Sequence, residues 1–239
     1  MANPVSSNIK AIIFDCDGTL VDSEEAHLSA WERVIKDYGK QLDWEERLHF
    51  IGKSDTAIAK ALTKKIASRT AGELWDQKEE YFSEYLYKGL PPIEGTIAFV
   101  NQLIQKKDRL HLKLAVASAA TKKEILINLR SLGIENAFDL VLSGHDDLHE
   151  YDDPEGVNKP KPYIYLHAAK LLGISPKECV VIEDSHTGVT SAISAGCITV
   201  AVPNAMSKSH DLSNATVQLE TLADLSVEDF LELVRKKKK

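Results

Sequence analysis

An α/β fold, with a parallel sheet covered by helices and interrupted once by a helical insertion, is predicted for this chain by three observations. From residue 94 onward, short apolar runs rich in β-branched residues alternate with amphipathic segments of helical length. One similar run, Ile9 to Phe14, stands alone far ahead of the others. Between it and the next lies Ser23 to Leu90, which has helical periodicity and no strand pattern. Such alternation argues for parallel strands buried on both faces, so the helical block reads as a domain inserted after the first strand. The expected division is residues 1–22 and 91–239 for the sheet domain and 23–90 for the insertion.

Ile9 to Phe14 is too short for a typical soluble helix and reads as a strand. Ser23 to Tyr38 follows as a helix, with Ala26, Ala30, Val34 and Tyr38 at helical spacing and Ser23 positioned to cap it. Asp43 and Ser54 are candidate caps for helices running to about His49 and Ile66, and Ala71 to Lys88 suggests a fourth. Pro91-Pro92 ends the block. Glu94 to Lys107 is then helical and Leu112 to Ala117 a strand; Thr121 opens a helix closed near Gly133, and Phe138 to Leu142 is a strand. Pro160 or Pro162 starts a helix to Gly173, Cys179 to Ile182 is a strand, and Ser185 or Thr187 starts a helix that Gly196 ends. Ile198 to Val202 is a further strand and Val227 to Arg235 the last clear helix. Strand order does not follow from this pattern.

A chain of 239 residues that is 44% hydrophobic can bury a substantial core. Its net charge of −7 argues against a nucleic-acid surface, and the basic end, Arg235 to Lys239, reads as a solvated tail. Cys16, Cys179 and Cys197 lack metal-like spacing and read as buried free thiols. The first ten residues carry no apolar signal segment and no run is long enough to span a bilayer, so the cytoplasm is the expected location, with no membrane partner. A monomer is expected, with a dimer as the alternative. Gly144 to Lys159 holds five acidic residues and two histidines between His145 and Asp153 and reads as a long solvated loop; a substrate-rim or cation-binding role is the alternative.

Four strands run into polar groups: the first into Asp15 and Asp17, the second into Ser118, the third toward Lys159, the fourth into Glu183 and Asp184. Parallel strands put their carboxyl ends on one edge, so these distant residues converge there. The set suits phosphoryl transfer. Asp15 is the expected nucleophile and Asp17 the acid and then base. Asp15, Asp184 and Glu183 are expected to hold Mg2+. Ser118 and Lys159, with Lys161 as a competitor, are expected to contact phosphoryl oxygens, and backbone N–H groups after Asp15 to form an anion nest. Taken singly, Asp184 could be only a helix N-terminal carboxylate and Lys159 a surface lysine.

The stretches D-C-D-G-T-L-V-D-S-E, K-P-K-P-Y-I-Y and V-I-E-D-S-H-T-G-V-T-S-A-I-S-A-G together resemble the haloacid dehalogenase-like hydrolase superfamily, in the branch near beta-phosphoglucomutase and small-molecule phosphatases. The resemblance covers nearly the whole chain. It implies a Rossmann-like core with an inserted helical cap that closes over the site. It also implies that Asp15 is the nucleophile, that Asp17 is the acid/base and gives Mg2+ a backbone carbonyl, and that Ser118 and Lys159 bind phosphate, which favours Lys159 over Lys161. Asp184 and Glu183 match metal-coordinating positions. Dehalogenases of the superfamily use one aspartate and generally no Mg2+, so the Asp17 and Glu183-Asp184 positions favour phosphoryl transfer.

In the mutase branch the cap carries K-G-x-S-R, whose arginine binds the distal phosphate. Here Ile51-Gly52-Lys53-Ser54-Asp55 stands in its place. Asp55 is expected to repel a second phosphate and Ile51 cannot hydrogen-bond it; Lys53 is a neighbouring substitute. His27 matches the mutase histidine that couples cap closure to Asp17. The balance predicts a Mg2+-dependent phosphatase of a small phosphorylated metabolite, such as a sugar phosphate, with a phosphosugar mutase as the alternative. Phosphonate-cleaving relatives use a cap lysine for an imine and this chain shows none at a matching place, which disfavours that activity; a catalytically silent binding protein is the remaining reading.

Overall fold

Four consecutive apolar residues, Ala11–Phe14, form β1, and all are buried. A strand buried on both faces needs neighbours on both sides for its backbone groups. β1 has them: it pairs in parallel with β2 (Lys113–Ser118) and with β4 (Cys179–Glu183). β3 (Leu140–Ser143) continues the sheet beyond β2, and β5 (Ile198–Ala201) and β6 (Val217–Gln218) continue it beyond β4. The order is β3-β2-β1-β4-β5-β6, all parallel, so the winding reverses between β1 and β4. The computed structural model describes residues 9–50 and 55–237.

The helices are α1 (Glu24–Asp37), α2 (Trp44–Phe50), α3 (Asp55–Leu62), α4 (Ala71–Lys88), α5 (Glu94–Leu110), α6 (Lys122–Ser131), α7 (Tyr163–Leu172), α8 (His186–Ser194) and α9 (Val227–Lys237). By its contacts the chain divides into one unit of Met1–Val21 with Pro92–Lys239 and a second of Asp22–Pro91. The first holds the sheet, with α7 against β2 and β3 and α8 against β5. The second is helical, with α4 packed against α1 and α3. No helix among the described residues is long and apolar enough to cross a membrane.

Local chemistry sets most helix starts. Thr70 and Thr121 form capping boxes with Glu73 and Glu124, Asp43 does the same with Glu46, and Ser185 accepts from the Gly188 N–H. Ser23 does not cap α1: its φ and ψ of −95° and −12° are already helical and its side chain makes no capping bond. Ser54, Ile51 and Lys53 lie outside the described residues. Arg235 to Lys237 are not a loose tail but the last turn of α9, where cations oppose the negative end of the helix dipole.

The acidic stretch after β3 is held down by its own carboxylates. Asp146 accepts from the Lys122 N–H, Asp147 from the Ser143 N–H and from Lys122 Nζ, Glu150 pairs with Lys170 and His167, and Asp153 accepts from the Glu155 N–H and the Tyr163 hydroxyl. These contacts fix the loop to α6 and α7.

Candidate active site

β1 ends at Phe14, and the next N–H, that of Asp15, donates to the Ile182 carbonyl of β4 (3.0 Å). That bond anchors the Asp15 backbone at the sheet's carboxyl edge. Gly18 then adopts φ +78°, which favours glycine. A Cβ there would also lie 2.6 Å from Asp184 Oδ2 and 2.8 Å from Asn204 Nδ2. The turn satisfies itself: the Gly18 N–H bonds to the Val21 carbonyl, and those of Thr19, Leu20 and Val21 to the Cys16 carbonyl. Those four amides are therefore not turned toward an anion, which corrects the expected nest over that part of the loop.

The structure brings Asp15, Lys159, Glu183 and Asp184 together. Lys159 Nζ bridges Asp15 Oδ1 (2.8 Å) and Glu183 Oε1 (2.6 Å). Lys161 instead pairs with Glu155 and Asp153. Ser118 Oγ donates to Asp17 Oδ2 (3.2 Å) and accepts from the Ala120 N–H. Glu183 is fully buried, and both its oxygens are engaged. Oε1 accepts from Lys159 and from the Tyr165 hydroxyl (2.7 Å), and Oε2 from Ser185 Oγ (3.0 Å) and the Asp184 and Ser185 N–H groups. A methyl group on Gly188 would overlap the Glu183 carboxyl, so α8 needs glycine at that turn.

Three buried carboxylates face one ammonium group. Burial pushes Asp15 up to about 7, with Lys159 opposing and Glu183 adding to the shift. Burial, together with Glu183 and Asp15, raises Asp184 well above the usual carboxylate range. Burial opposes ionisation of Glu183 too, but the Lys159 charge and the hydrogen bonds hold it low. Oxygens of Asp15, Glu183 and Asp184 lie within 4.8 Å of one another. A buried, all-oxygen donor set of this charge fits a hard divalent cation such as Mg2+.

Tyr165 and Asn204 were not among the residues expected here. Tyr165 ends the K-P-K-P-Y-I-Y stretch, which gave it no role of its own. Asn204 follows β5, whose carboxyl end lies on the same edge as the others, so the strand-end rule applied once more would have found it.

In the helical unit, Asp55 accepts from Trp31 Nε1 (2.8 Å) and from Lys78 Nζ (2.7 Å), and Lys78 also meets Glu79 (2.8 Å). Lys78 is fully buried, whereas Asp55 keeps about a quarter of its side-chain surface exposed. His27 stacks on Phe82 with ring centroids 4.0 Å apart, its Nδ1 3.8 Å from Asp55. Burial and the nearby Lys78 charge keep His27 neutral, well below the usual imidazole range. Asp55, expected to repel a second phosphate, is a carboxylate paired with Lys78.

Comparison with known proteins matches this arrangement to one family. Residues 12–202 match the model of the haloacid dehalogenase-like hydrolases. A protein named probable pseudouridine-5'-phosphatase from Drosophila melanogaster is 30% identical over 233 residues, covering 96% of this chain and 97% of that one. A phosphorylated carbohydrates phosphatase from Thermotoga maritima is 32% identical over 193 residues, covering 79% and 82%. The crystal structure of a beta-phosphoglucomutase from Clostridium difficile shares the fold, with a TM-score of 0.73 at 24% identity over 95% of this chain and 98% of that one. The family match spans β1 through β5 and with them every strand that ends at the Asp15 cluster, so the chain belongs to the haloacid dehalogenase-like hydrolases.

Proposed function

We propose that this protein is a Mg2+-dependent phosphatase of a small phosphorylated metabolite, such as a sugar phosphate, acting through an aspartyl-phosphate. The observation that carries the reading is the Asp15 carboxylate held by Lys159 at the end of β1, with Asp17 two residues on and Asp184 within the same buried cluster. Relatives named as phosphatases of pseudouridine-5'-phosphate and of phosphorylated carbohydrates support it.

In this reading an Asp15 oxygen attacks phosphorus, a bond forms between them, and the bond from phosphorus to the leaving oxygen breaks. Asp17, oriented by Ser118, gives that oxygen a proton. A water molecule then attacks the phosphoryl group, Asp17 takes its proton, and the Asp15–phosphorus bond breaks to release inorganic phosphate. Lys159 fixes the nucleophile and offsets charge on the phosphoryl oxygens. Asp15, Asp184 and the Asp17 carbonyl would hold Mg2+, with Glu183 beside them; the ion supplies charge neutralisation between carboxylate and phosphoryl group.

Asp55 favours hydrolysis over a mutase. What disfavours a mutase is missing positive charge rather than repulsion, because Lys78 already pairs with the Asp55 carboxylate. A carboxylate committed in this way offers no cation to a second phosphate. The test is a screen of phosphorylated sugars, nucleotides and glycerol phosphates with Mg2+, run with and without a sugar bisphosphate. Release of inorganic phosphate from monoesters is the expected result. Interconversion of hexose 1- and 6-phosphates stimulated by the bisphosphate would replace the reading with a mutase, and no turnover of any phosphate would leave a binding protein.

A further inference from the structure

Asn204, on the loop after β5, makes four hydrogen bonds through its side chain, and together they fix which way the amide points. Its Oδ1 accepts from the Met206 N–H (2.8 Å) and the Ser207 N–H (3.0 Å), while its own N–H is held by Ser207 Oγ (3.0 Å). An oxygen that accepts from two backbone donors cannot exchange places with the amide nitrogen, which would set donor against donor. The Nδ2 group is therefore forced the other way. There it donates to the Gly18 carbonyl (3.0 Å) and to Asp184 Oδ2 (3.1 Å). One side chain thus joins three segments: the turn after β1, Asp184 just past β4 and the loop after β5.

Neither contact is incidental to packing. Any side chain on Gly18 would run into Asp184 Oδ2 and Asn204 Nδ2, so the turn, the carboxylate and the amide occupy one tightly filled corner. Lys159 sits on Asp15 and Glu183, and Glu183 already has both oxygens engaged. Asp184 instead accepts from Asn204 Nδ2, and the Ser207 side chain on the same loop also hydrogen-bonds it.

We propose that Asn204 is a positioning residue for the metal site: by holding Asp184 Oδ2 and the Gly18 carbonyl, it fixes the orientation of a carboxylate that would hold the cation and ties it to the turn after the nucleophile. The inference rests on the Mg2+ reading above. Hydrogen-bond partners of metal-ligating carboxylates set affinity through orientation, and their loss typically weakens binding by about 10–100-fold.

The test uses Mn2+ alone, titrated into metal-free protein without substrate and followed by the electron paramagnetic resonance signal of the free ion. Asn204→Ser keeps an oxygen that can accept from the N–H groups two and three residues on, preserving the turn, but removes the amide donor. Asn204→Ala removes both. The expected result is Mn2+ binding at least about tenfold weaker in Asn204→Ser, with a smaller fall in melting temperature in EDTA than Asn204→Ala shows. Unchanged Mn2+ affinity in Asn204→Ser overturns the proposal. So does a fall in metal-free melting temperature as large in Asn204→Ser as in Asn204→Ala, since Asn204 would then serve only the loop. Asp184→Asn, run alongside, separates the two levels. If it loses Mn2+ while Asn204→Ser keeps it, only the role of Asn204 fails; if Asp184→Asn binds Mn2+ normally, the metal site itself is misassigned and the role of Asn204 falls with it.

Discussion

Asp15 and Asp17 are two residues apart in the chain but have different partners. Asp15 is buried and tied to Lys159, while Asp17 is half-buried and accepts from Ser118. Replacing Asp17 with Asn should lower turnover by about 10²–10⁴-fold, the range for loss of a general acid–base. The check is steady-state kinetics on substrates with poor and good leaving groups, and equal, undiminished rates on both would remove Asp17 from proton transfer. For Asp15, burial raises the carboxyl to about 7 in the metal-free protein, against 3.8 ordinarily. The folded state therefore keeps a proton that the unfolded chain has lost, so this group's contribution to stability falls as pH rises from 3.8 toward 7. Metal binding runs the opposite way, because Asp15 must be ionised to serve as a ligand. Mg2+ affinity measured by calorimetry should weaken as pH drops below about 7, and protonation of Asp184, whose carboxyl burial also raises, adds to the loss.

At the scale of elements, the helical unit is held by a charged cluster inside it as well as by apolar packing. α1 supplies His27 and Trp31, α3 supplies Asp55, and α4 supplies Lys78 and Glu79. Asp55→Ala leaves Lys78 buried with one carboxylate in place of two and should cost about 1–3 kcal/mol, the penalty for a buried polar group deprived of its partner. The paired change Asp55→Ala with Lys78→Met should recover part of that loss, because it removes the stranded charge. Urea unfolding of both variants reads the difference; equal destabilisation would mean the cluster contributes little beyond shape. The helix starts at Asp43, Thr121 and Ser185 were legible because capping is local chemistry among neighbours in sequence. The Asp55–Lys78 pair was not, because it joins residues 23 apart whose meeting depends on how α3 and α4 pack.

Across the sheet unit, the order β3-β2-β1-β4-β5-β6 sets β1 and β4 side by side, and the winding reverses between them. That neighbourhood puts Asp15 beside Glu183 and Asp184 although about 170 residues separate them. Three carboxylates gathered against one lysine leave the unit with charge that a divalent cation would offset. Saturating Mg2+ should therefore raise thermal stability; at a concentration about 100 times the dissociation constant the gain is about 2.7 kcal/mol. Differential scanning calorimetry with and without EDTA measures it, and Asp184→Asn should abolish the gain. A melting temperature indifferent to Mg2+ in the unsubstituted protein would count against the metal site.

By itself the sequence determined the alternation of strands and helices and the strand ends that carry polar groups. These follow from hydrophobic periodicity, capping and turn chemistry, which act over a few residues. Only the tertiary structure decided which strand lies beside which, that Lys159 bridges Asp15 and Glu183, that Lys78 pairs with Asp55, and that Tyr165 and Asn204 complete the cluster. Each of these is a contact between segments distant in the chain. Its chemistry appears only when the sheet's order and the helices' packing bring the two partners within hydrogen-bonding distance.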